Sequence, residues 1–329
     1  MGAVLVTGGA GYIGSHVVRQ LGEQGERLCI LDNLSTGFRS AVLHGKLVVG
    51  DTTNARLVTR LLETHEIESV LHFAAHIVVP ESVADPLKYY ANNTGGTRTL
   101  LECCVRTGVK HFIFSSTAAV YGIPADGLAS EETPTRPINP YGWSKLMSEQ
   151  MLRDVAAAFP IRYVALRYFN VAGADPGGRL GQSTPEASHL IKVGCEHAVG
   201  RRQSVSIFGT DYDTPDGTGV RDYIHVEDLA DAHLRALAYL RGGGDSTTLN
   251  CGYGSGSSVR EVLDTVARVA GTRLTIREAA RRAGDPPRLV AQADLIRRLL
   301  GWQPRFQDLE AIVSTALAWE RSLAARTPD

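Results

Sequence analysis

The chain has 329 residues, 43% of them hydrophobic, with 34 basic and 35 acidic side chains and a formal net charge of −1. That length suits a large domain joined to a smaller one, and that apolar content fills a core. The near-neutral balance excludes a polybasic surface for nucleic acid or anionic membrane, and no apolar run reaches the length of a membrane span.

A first strand is predicted at residues 4–6, and it runs into a turn where Gly8, Gly11 and Gly14 are spaced G-x-x-G-x-x-G ahead of a helix over 12–24. The free N–H groups and the dipole at a helix N-terminus favour negative charge, and glycines leave the backbone bare for a pyrophosphate. The usual fingerprint is G-x-G-x-x-G, and an ordinary strand-to-helix turn reads much the same. A second strand, 27–31, ends at Asp32, 18 residues after Gly14. A carboxylate there accepts both hydroxyls of an adenine ribose and repels a 2′-phosphate. Turn and acid together indicate a dinucleotide and favour NAD over NADP, although Arg39 is near enough in sequence to reach a phosphate.

Further strands are predicted at 47–49, 70–74, 111–115, 162–166 and 248–250, with helices near 54–64, 85–107, 141–158, 186–199 and 227–241. This alternation predicts an α/β fold, a Rossmann-type doubly wound parallel sheet with ligands at the carboxyl ends of its strands. Asp32, Asp51, Ala74-Ala75 and Ser115-Ser116-Thr117 fall at such ends. After about residue 170 the texture changes: 173–181 and 209–219 are rich in Gly, Pro, Asp and Thr. A smaller, loop-rich, mixed α/β lobe holding a substrate over the sheet is expected there. The expected division is 1–170 with about 226–250 as the NAD-binding domain, and 171–225 with 251–329 as the substrate lobe. Residues 324–329 are expected to fray.

Cys29, Cys103, Cys104, Cys195 and Cys251 form no C-x-x-C pair, and no H-E-x-x-H, other metal spacing or Walker loop occurs. Free thiols in a reducing cytoplasm and no metal are the expectation. The first residues lack a basic flank, so they read as the start of the fold and not as a signal peptide.

Tyr141 and Lys145 follow Pro140 at i and i+4, on one face of a predicted helix. A free phenol, with a pKa of ~10, is no base at neutral pH. A cation ~5 Å away at an effective dielectric of ~20 favours the phenolate by ~3 kcal/mol, or two pKa units. Lys145 and a positive nicotinamide ring are expected to bring Tyr141 into the working range of a general base. A helix-surface Tyr beside a solvated Lys would carry the same spacing. Thr117, at a strand's carboxyl end, supplies a hydroxyl for the reacting oxygen, or else is a plain turn residue.

The motifs TGGAGYIG (7–14), DNL (32–34), HFAA (72–75), Asn92-Asn93, FSSTAAVYG (114–122), PYGWSK (140–145) and RYFN (167–170) resemble the extended short-chain dehydrogenase/reductase superfamily. Adding GVRDYIH (219–225) and RRAGD (281–285), the chain closely resembles the UDP-glucose (UDP-galactose) 4-epimerases, over nearly its whole length. The resemblance implies that Tyr141 takes the proton of the sugar 4′-hydroxyl while C4′ gives hydride to NAD. The 4-ketose then turns over and receives the hydride on its other face, so NAD stays bound between turnovers.

It also implies roles for single residues. Lys145 holds the nicotinamide ribose, Thr117 the sugar oxygen, Tyr168 the nicotinamide pocket, and Asp51 with Thr52 the adenine. Other cofactor contacts are implied at Tyr12, Ile13, Asn33, Phe73, Ala74, Ala75, Asn93 and Ser115. The UDP-sugar is implied at Asn170, His189, Leu190, Phe208, Arg221, Arg282 and Asp285, with Leu289 bordering the sugar's 2′ side. Two guanidinium groups suit a diphosphate, an aromatic ring the uracil face, and a carboxylate the ribose hydroxyls. Relatives with Tyr at the Leu289 position tend to be restricted to simple hexoses. Leucine leaves more room, so UDP-glucose and UDP-galactose are implied as the main pair, with detectable UDP-N-acetylglucosamine/UDP-N-acetylgalactosamine epimerisation. A homodimer through apolar positions on helices 92–107 and 146–158, and a cytoplasmic place in galactose and nucleotide-sugar metabolism, are implied as well.

Departures are present. Ala75-His76-Ile77 stands where many relatives have Gly-Leu-Lys, which removes a lysine that reaches the cofactor; His189 replaces an Asn and Val171 a Pro. A nucleotide-sugar 4,6-dehydratase shares the large domain but needs an Asp-Glu after the threonine, where Ala118-Ala119 stand here. A non-catalytic NAD sensor of this fold typically lacks the Tyr/Lys pair, which this chain keeps.

Overall fold

A strand covered by helices on both faces has no polar side, so it reads as a continuous apolar run. Such runs occur in this chain at 3–7, 28–32, 111–115 and 162–166, and each is buried along nearly its whole length. The computed structural model describes residues 2–185, 187–282 and 285–326. In chain order its strands are β1 (Ala3–Thr7), β2 (Leu28–Asp32), β3 (Lys46–Val49), β4 (Ile67–His72), β5 (His111–Ser115), β6 (Leu128–Ala129), β7 (Arg162–Tyr168), β8 (Asn170–Ala172), β9 (Val205–Phe208), β10 (Val220–His225), β11 (Thr247–Cys251), β12 (Gly256–Ser258), β13 (Ile276–Ala279) and β14 (Arg288–Ala291). Its α-helices are α1 (Tyr12–Glu23), α2 (Ala55–Thr64), α3 (Val79–Ala84), α4 (Pro86–Tyr89), α5 (Gly96–Thr107), α6 (Pro140–Ala158), α7 (Leu190–Ala198), α8 (Val226–Arg241), α9 (Val259–Ala270), α10 (Asp294–Leu300) and α11 (Leu309–Ala325).

Seven strands form one parallel sheet in the order β3-β2-β1-β4-β5-β7-β11. The order reverses direction at β1/β4, where doubly wound sheets open a crevice for a ligand. Thr247–Cys251 extends the sheet beyond β7, with Asn250 opposite Arg167. A second, mixed sheet runs β12-β10-β14-β6 with β8 also on β10, and β9 pairs with β13. α1 packs on α8 across the large sheet's face. There Arg19 meets the buried Glu227 carboxylate, which also accepts from Gln20 Nε2 at 2.8 Å. The Tyr12 hydroxyl donates to the Gly173 carbonyl at 2.6 Å, tying the first helix to the smaller lobe.

Several predicted elements differ in detail. The helix expected over 85–107 is α4, a π-helical turn at Tyr90–Gly95, and α5, preceded by α3. Asn92, Asn93, Thr94 and Gly95 are weak helix formers, and the Asn93 side chain is taken by the backbone of His76. β4 begins at Ile67 and ends at His72, two residues before the expected end, because the backbone of Phe73 and Ala74 turns under Gly8. α7 starts at Leu190 rather than 186, and position 186 itself lies outside the described residues. α11 continues through Ala324 and Ala325 where fraying was expected; residues 327–329 lie outside the described residues, as do Ala283 and Gly284 of the 281–285 motif.

Candidate functional site

The glycine turn is fixed by its surroundings. Gly8 has φ +69°, and a Cβ on it would lie 2.6 Å from the Ala74 nitrogen. A Cβ on Gly14 would lie 2.3 Å from the Gly8 carbonyl oxygen. Gly11 precedes α1 without a capping side chain, so no side chain takes the first N–H groups of that helix, which begins with Tyr12 and Ile13. Asp32, at the end of β2, accepts from Ala10 N at 2.9 Å and Leu34 N at 2.8 Å, which aims its buried carboxylate beside the turn.

Asn33 donates to Asp51 Oδ2 at 3.0 Å. Burial opposes ionisation of Asp51, but hydrogen bonds from Thr53 and Asn33 win and hold its carboxyl below the usual range. Thr52 is buried against Gly96 at the start of α5. Phe73 faces the His233 ring at 4.7 Å, and Ala74 and Ala75 continue the chain past the glycines. Asn93, in the π-helical turn, donates to His76 O (3.0 Å) and Ser144 Oγ (3.0 Å) and accepts from His76 N (2.8 Å). A π-bulge that aims one side chain in this way is common at functional sites.

Tyr141, Lys145, Thr117, Ser115 and Tyr168 come together where β5 and β7 end and α6 begins. Asn139 caps α6 by accepting from Gly142 N at 2.9 Å, and Pro140 occupies its first turn, so the helix starts one residue before Tyr141. Lys145 Nζ donates to the Ser115 carbonyl at 2.8 Å and lies 5.0 Å from the Phe114 ring centroid. The Ser115 hydroxyl bonds the Tyr168 phenol. Burial pushes the Lys145 ammonium down to about 7, with Glu149 resisting. Burial also pushes Tyr141 up, and the neighbouring Thr117 hydroxyl pulls it back in part. The lysine shares its helix face but spends a donor on the strand-end carbonyl, and desolvation dominates the phenol.

In the smaller lobe the Arg282 guanidinium stacks on Phe208 with its carbon 3.8 Å from the ring centroid. Arg221 Nη2 lies 3.9 Å from Asp285 Oδ1, and Arg221 is in register with Leu289 across β10 and β14. Leu289 is half-buried against the core. His189 occupies the N-cap position of α7 without capping it, meets Gln182 Nε2 at 2.9 Å, and shares a small cavity with residues 171–173, next to Asn170. Burial lowers the His189 pKa, with Lys192 adding to the effect.

Two groups in the site had no expected role. His72, on β4, bridges Thr7 Oγ1 (2.6 Å) and Thr97 Oγ1 (3.0 Å), and burial lowers its pKa to about 3. Glu149 sits behind Lys145, and its only sequence signal is the i+4 spacing that continues from Tyr141 and Lys145.

Residues 4–252 match the NAD dependent epimerase/dehydratase family. The chain is 58% identical over 321 residues to a UDP-glucose 4-epimerase of Azospirillum brasilense, covering 97% of this chain and 92% of that one. A crystal structure of UDP-glucose 4-epimerase from Brucella ovis in complex with NAD superposes with a TM-score of 0.94 at 45% identity, covering 96% of this chain and 98% of that one. The UDP-Glc/GlcNAc 4-epimerase of Campylobacter jejuni superposes with a TM-score of 0.86 at 48% identity, covering 98% and 100%. With three-quarters of its length inside the family match and relatives aligned nearly end to end, the chain belongs to the NAD dependent epimerase/dehydratase family.

Proposed function

We propose that this protein is an NAD-dependent isomerase that inverts C4′ of a UDP-hexose, interconverting UDP-glucose and UDP-galactose. One observation carries the reading: Tyr141, Lys145 and Thr117 gather at the carboxyl end of β5, and the bare glycine turn follows the carboxyl end of β1 in the same parallel sheet. The turn fits a dinucleotide because its backbone leaves no space for side chains at Gly8 and Gly14, and Asp32 is already aimed beside it. Gly8, Gly11, Tyr12, Ile13, Gly14, Asp32, Asn33, Asp51, Thr52, Phe73, Ala74, Ala75, Asn93, Ser115 and Tyr168 would hold NAD. The chemistry that NAD would supply there is reversible acceptance of a hydride. Tyr141 Oη takes the 4′-hydroxyl proton and later gives it back. Thr117 Oγ1 orients the reacting oxygen and favours the phenolate, while Lys145 holds its Nζ against the Ser115 carbonyl from the same helix face.

Arg221 and Arg282 take the diphosphate, Phe208 the uracil, and Asp285 the ribose, with Asn170, His189 and Leu190 closing the nucleotide side. This assigns 1–170 with about 226–250 to the cofactor, and 171–225 with 251–329 to the UDP-sugar. Ala118 and Ala119 follow Thr117, and no acid–base pair for dehydration stands there. The Campylobacter jejuni likeness and the half-buried Leu289 favour a secondary activity on UDP-N-acetylglucosamine.

The assembly is a homodimer through α5 and α6. These helices line a groove of about 510 Å³ between Leu101, Val105, Met151, Val155 and Phe159, with exposed Trp143 and Met147 continuing its apolar stripe. All five cysteines are free and buried, consistent with a cytoplasmic protein. Among the described residues no helix is long and apolar enough to cross a membrane.

Substrate deuterated at C4′ tests the reaction. UDP-glucose formed from 4′-deuterated UDP-galactose in unlabelled water is expected to keep its deuterium. Washout into solvent would rule out internal hydride return, and absence of turnover would leave a dinucleotide sensor.

A further inference from the structure

Glu149 lies one turn beyond Lys145 and two beyond Tyr141 on α6, and it is 1% exposed. Its Oε1 accepts from Ser116 Oγ at 2.5 Å and from Arg167 Nε at 2.9 Å; its Oε2 accepts from Arg167 Nη2 at 2.6 Å. Arg167, on β7, also donates from Nη1 to the Tyr121 hydroxyl at 3.0 Å, and its guanidinium lies 5.0 Å from that ring's centroid. Tyr121 in turn donates to Asn250 Oδ1 on β11 at 2.6 Å, and Asn250 Nδ2 donates to Ala129 O at 2.7 Å. The chain of bonds thus runs from α6 to the smaller sheet.

A buried ion pair is weak support for stability. Desolvation offsets much of its attraction, and apolar residues of equal volume often serve as well. Full satisfaction of every partner is instead what a geometric demand requires. The geometry at stake is local. Ser116 stands between Ser115, whose carbonyl takes Lys145 Nζ, and Thr117, whose hydroxyl neighbours Tyr141. The Ser116–Glu149 bond therefore ties the helix of Tyr141 and Lys145 to the strand end of Thr117 at a point midway between their contacts.

We propose that Glu149 and Arg167 are positioning residues for the epimerisation, holding Thr117 and the Lys145 ammonium in register with Tyr141 without touching the sugar. The inference rests on the reaction proposed above. Its competitor is a plain brace between α6 and β7, which would govern stability alone. Charge separates the two. The titratable and charged groups around Lys145 are Tyr141 and Glu149 from α6, His72 from β4, and Arg167 and Tyr168 from β7. Glu149 favours the ammonium, so neutralising it makes Lys145 shed its proton at lower pH.

The test uses the full chain with NAD and UDP-galactose, comparing wild type with Ser116→Ala, Glu149→Gln and Glu149→Asp. Ser116→Ala and Glu149→Gln are expected to lower kcat about tenfold, the kinetic equivalent of one hydrogen bond to a charged group, with KM unchanged. The alkaline limb of the kcat profile should move to lower pH in Glu149→Gln and stay in place in Ser116→Ala. Glu149→Asp, which keeps the charge, should restore the limb without restoring kcat. Wild-type kcat in folded Ser116→Ala, or an unmoved limb in folded Glu149→Gln, overturns the proposal. If Glu149→Gln does not fold, the kcat of Ser116→Ala decides alone. A wild type silent on both UDP-hexoses overturns the reaction itself and is told apart by that silence.

Discussion

Gly8, Gly11 and Gly14 form a turn of bare backbone, whereas Phe208, Arg221, Arg282 and Asp285 form clusters of side chains. The first kind of site is set by closeness: a single methyl at Gly14 would meet the Gly8 carbonyl oxygen at 2.3 Å and the Gly9 Cα at 2.9 Å. The second is set by reach, since Arg282 lies over Phe208 through a flexible stem and Arg221 stands 3.9 Å from Asp285. A backbone site is therefore close to all-or-none, and a side-chain site can be retuned one residue at a time. Between them, Tyr141 and Lys145 belong to neither kind, because their positions come from the start of one helix and the end of one strand.

The largest effect is expected at this seam. Tyr141→Phe removes the titrating hydroxyl and should lower turnover by ~10²–10⁴-fold while bound NAD and the fold persist. Turnover close to wild type across the pH range would remove Tyr141 from the role of base.

Next comes the backbone site. Gly14→Ala should strip NAD from the purified protein and lower the melting temperature, as overpacking by one methyl costs about 1–3 kcal/mol. Retention of stoichiometric nicotinamide absorbance after gel filtration would show that the turn yields, and the contrast between the two kinds of site would fail.

A side-chain site should respond in part only. Leu289→Tyr is expected to abolish activity on UDP-N-acetylglucosamine and spare UDP-galactose, because its half-buried place beside Arg221 has room to lose on one side. Equal loss of both activities would show that Leu289 supports the core and gates nothing.

The last effect is one of pH on stability and concerns Lys145. Its folded pKa of about 7 lies below the 10.5 of an exposed lysine. Between those values the unfolded chain binds a proton that the folded chain does not, so this group's contribution to stability rises as pH rises through the window. Urea unfolding of wild type and Lys145→Met should shift in favour of wild type from about pH 7 to about pH 10. Parallel pH dependences would mean that the ammonium keeps its ordinary pKa in the folded protein.

Much of the large sheet was legible because its signals are local. Residues 27–31 read as a strand from five adjacent residues, one residue off the observed Leu28–Asp32, and the glycine turn, Asp32 and Tyr141 each sit at a strand or helix end, where local pattern is strongest. What escaped depends on distant pairing. β8, β9 and β10 are three to six residues long and are strands because each finds a neighbour far along the chain, as Tyr223 does with Asn170. The π-helical turn at Tyr90–Gly95 follows from a side chain bonded to residue 76, which no window around residue 92 contains. The partner of Lys145 is equally distant in sequence. Helical spacing places it on the face of Tyr141, but the carbonyl that captures it belongs to residue 115.

The closure of α1 onto α8 has a temporal consequence. Arg19 and Gln20 converge on Glu227, which is synthesised 208 residues after Arg19. The strand that completes the large sheet, Thr247–Cys251, comes later still. At about 5–20 residues per second, roughly ten to forty seconds of synthesis separate the two ends of that contact. During this interval the emerging chain carries β1, β2 and β4 with the outer face of α1 uncovered, and the exposed edge of β7 is open to pairing with another chain. The face of α1 thus waits for Glu227, and the edge of β7 waits longer, until Thr247–Cys251 has emerged to cover it.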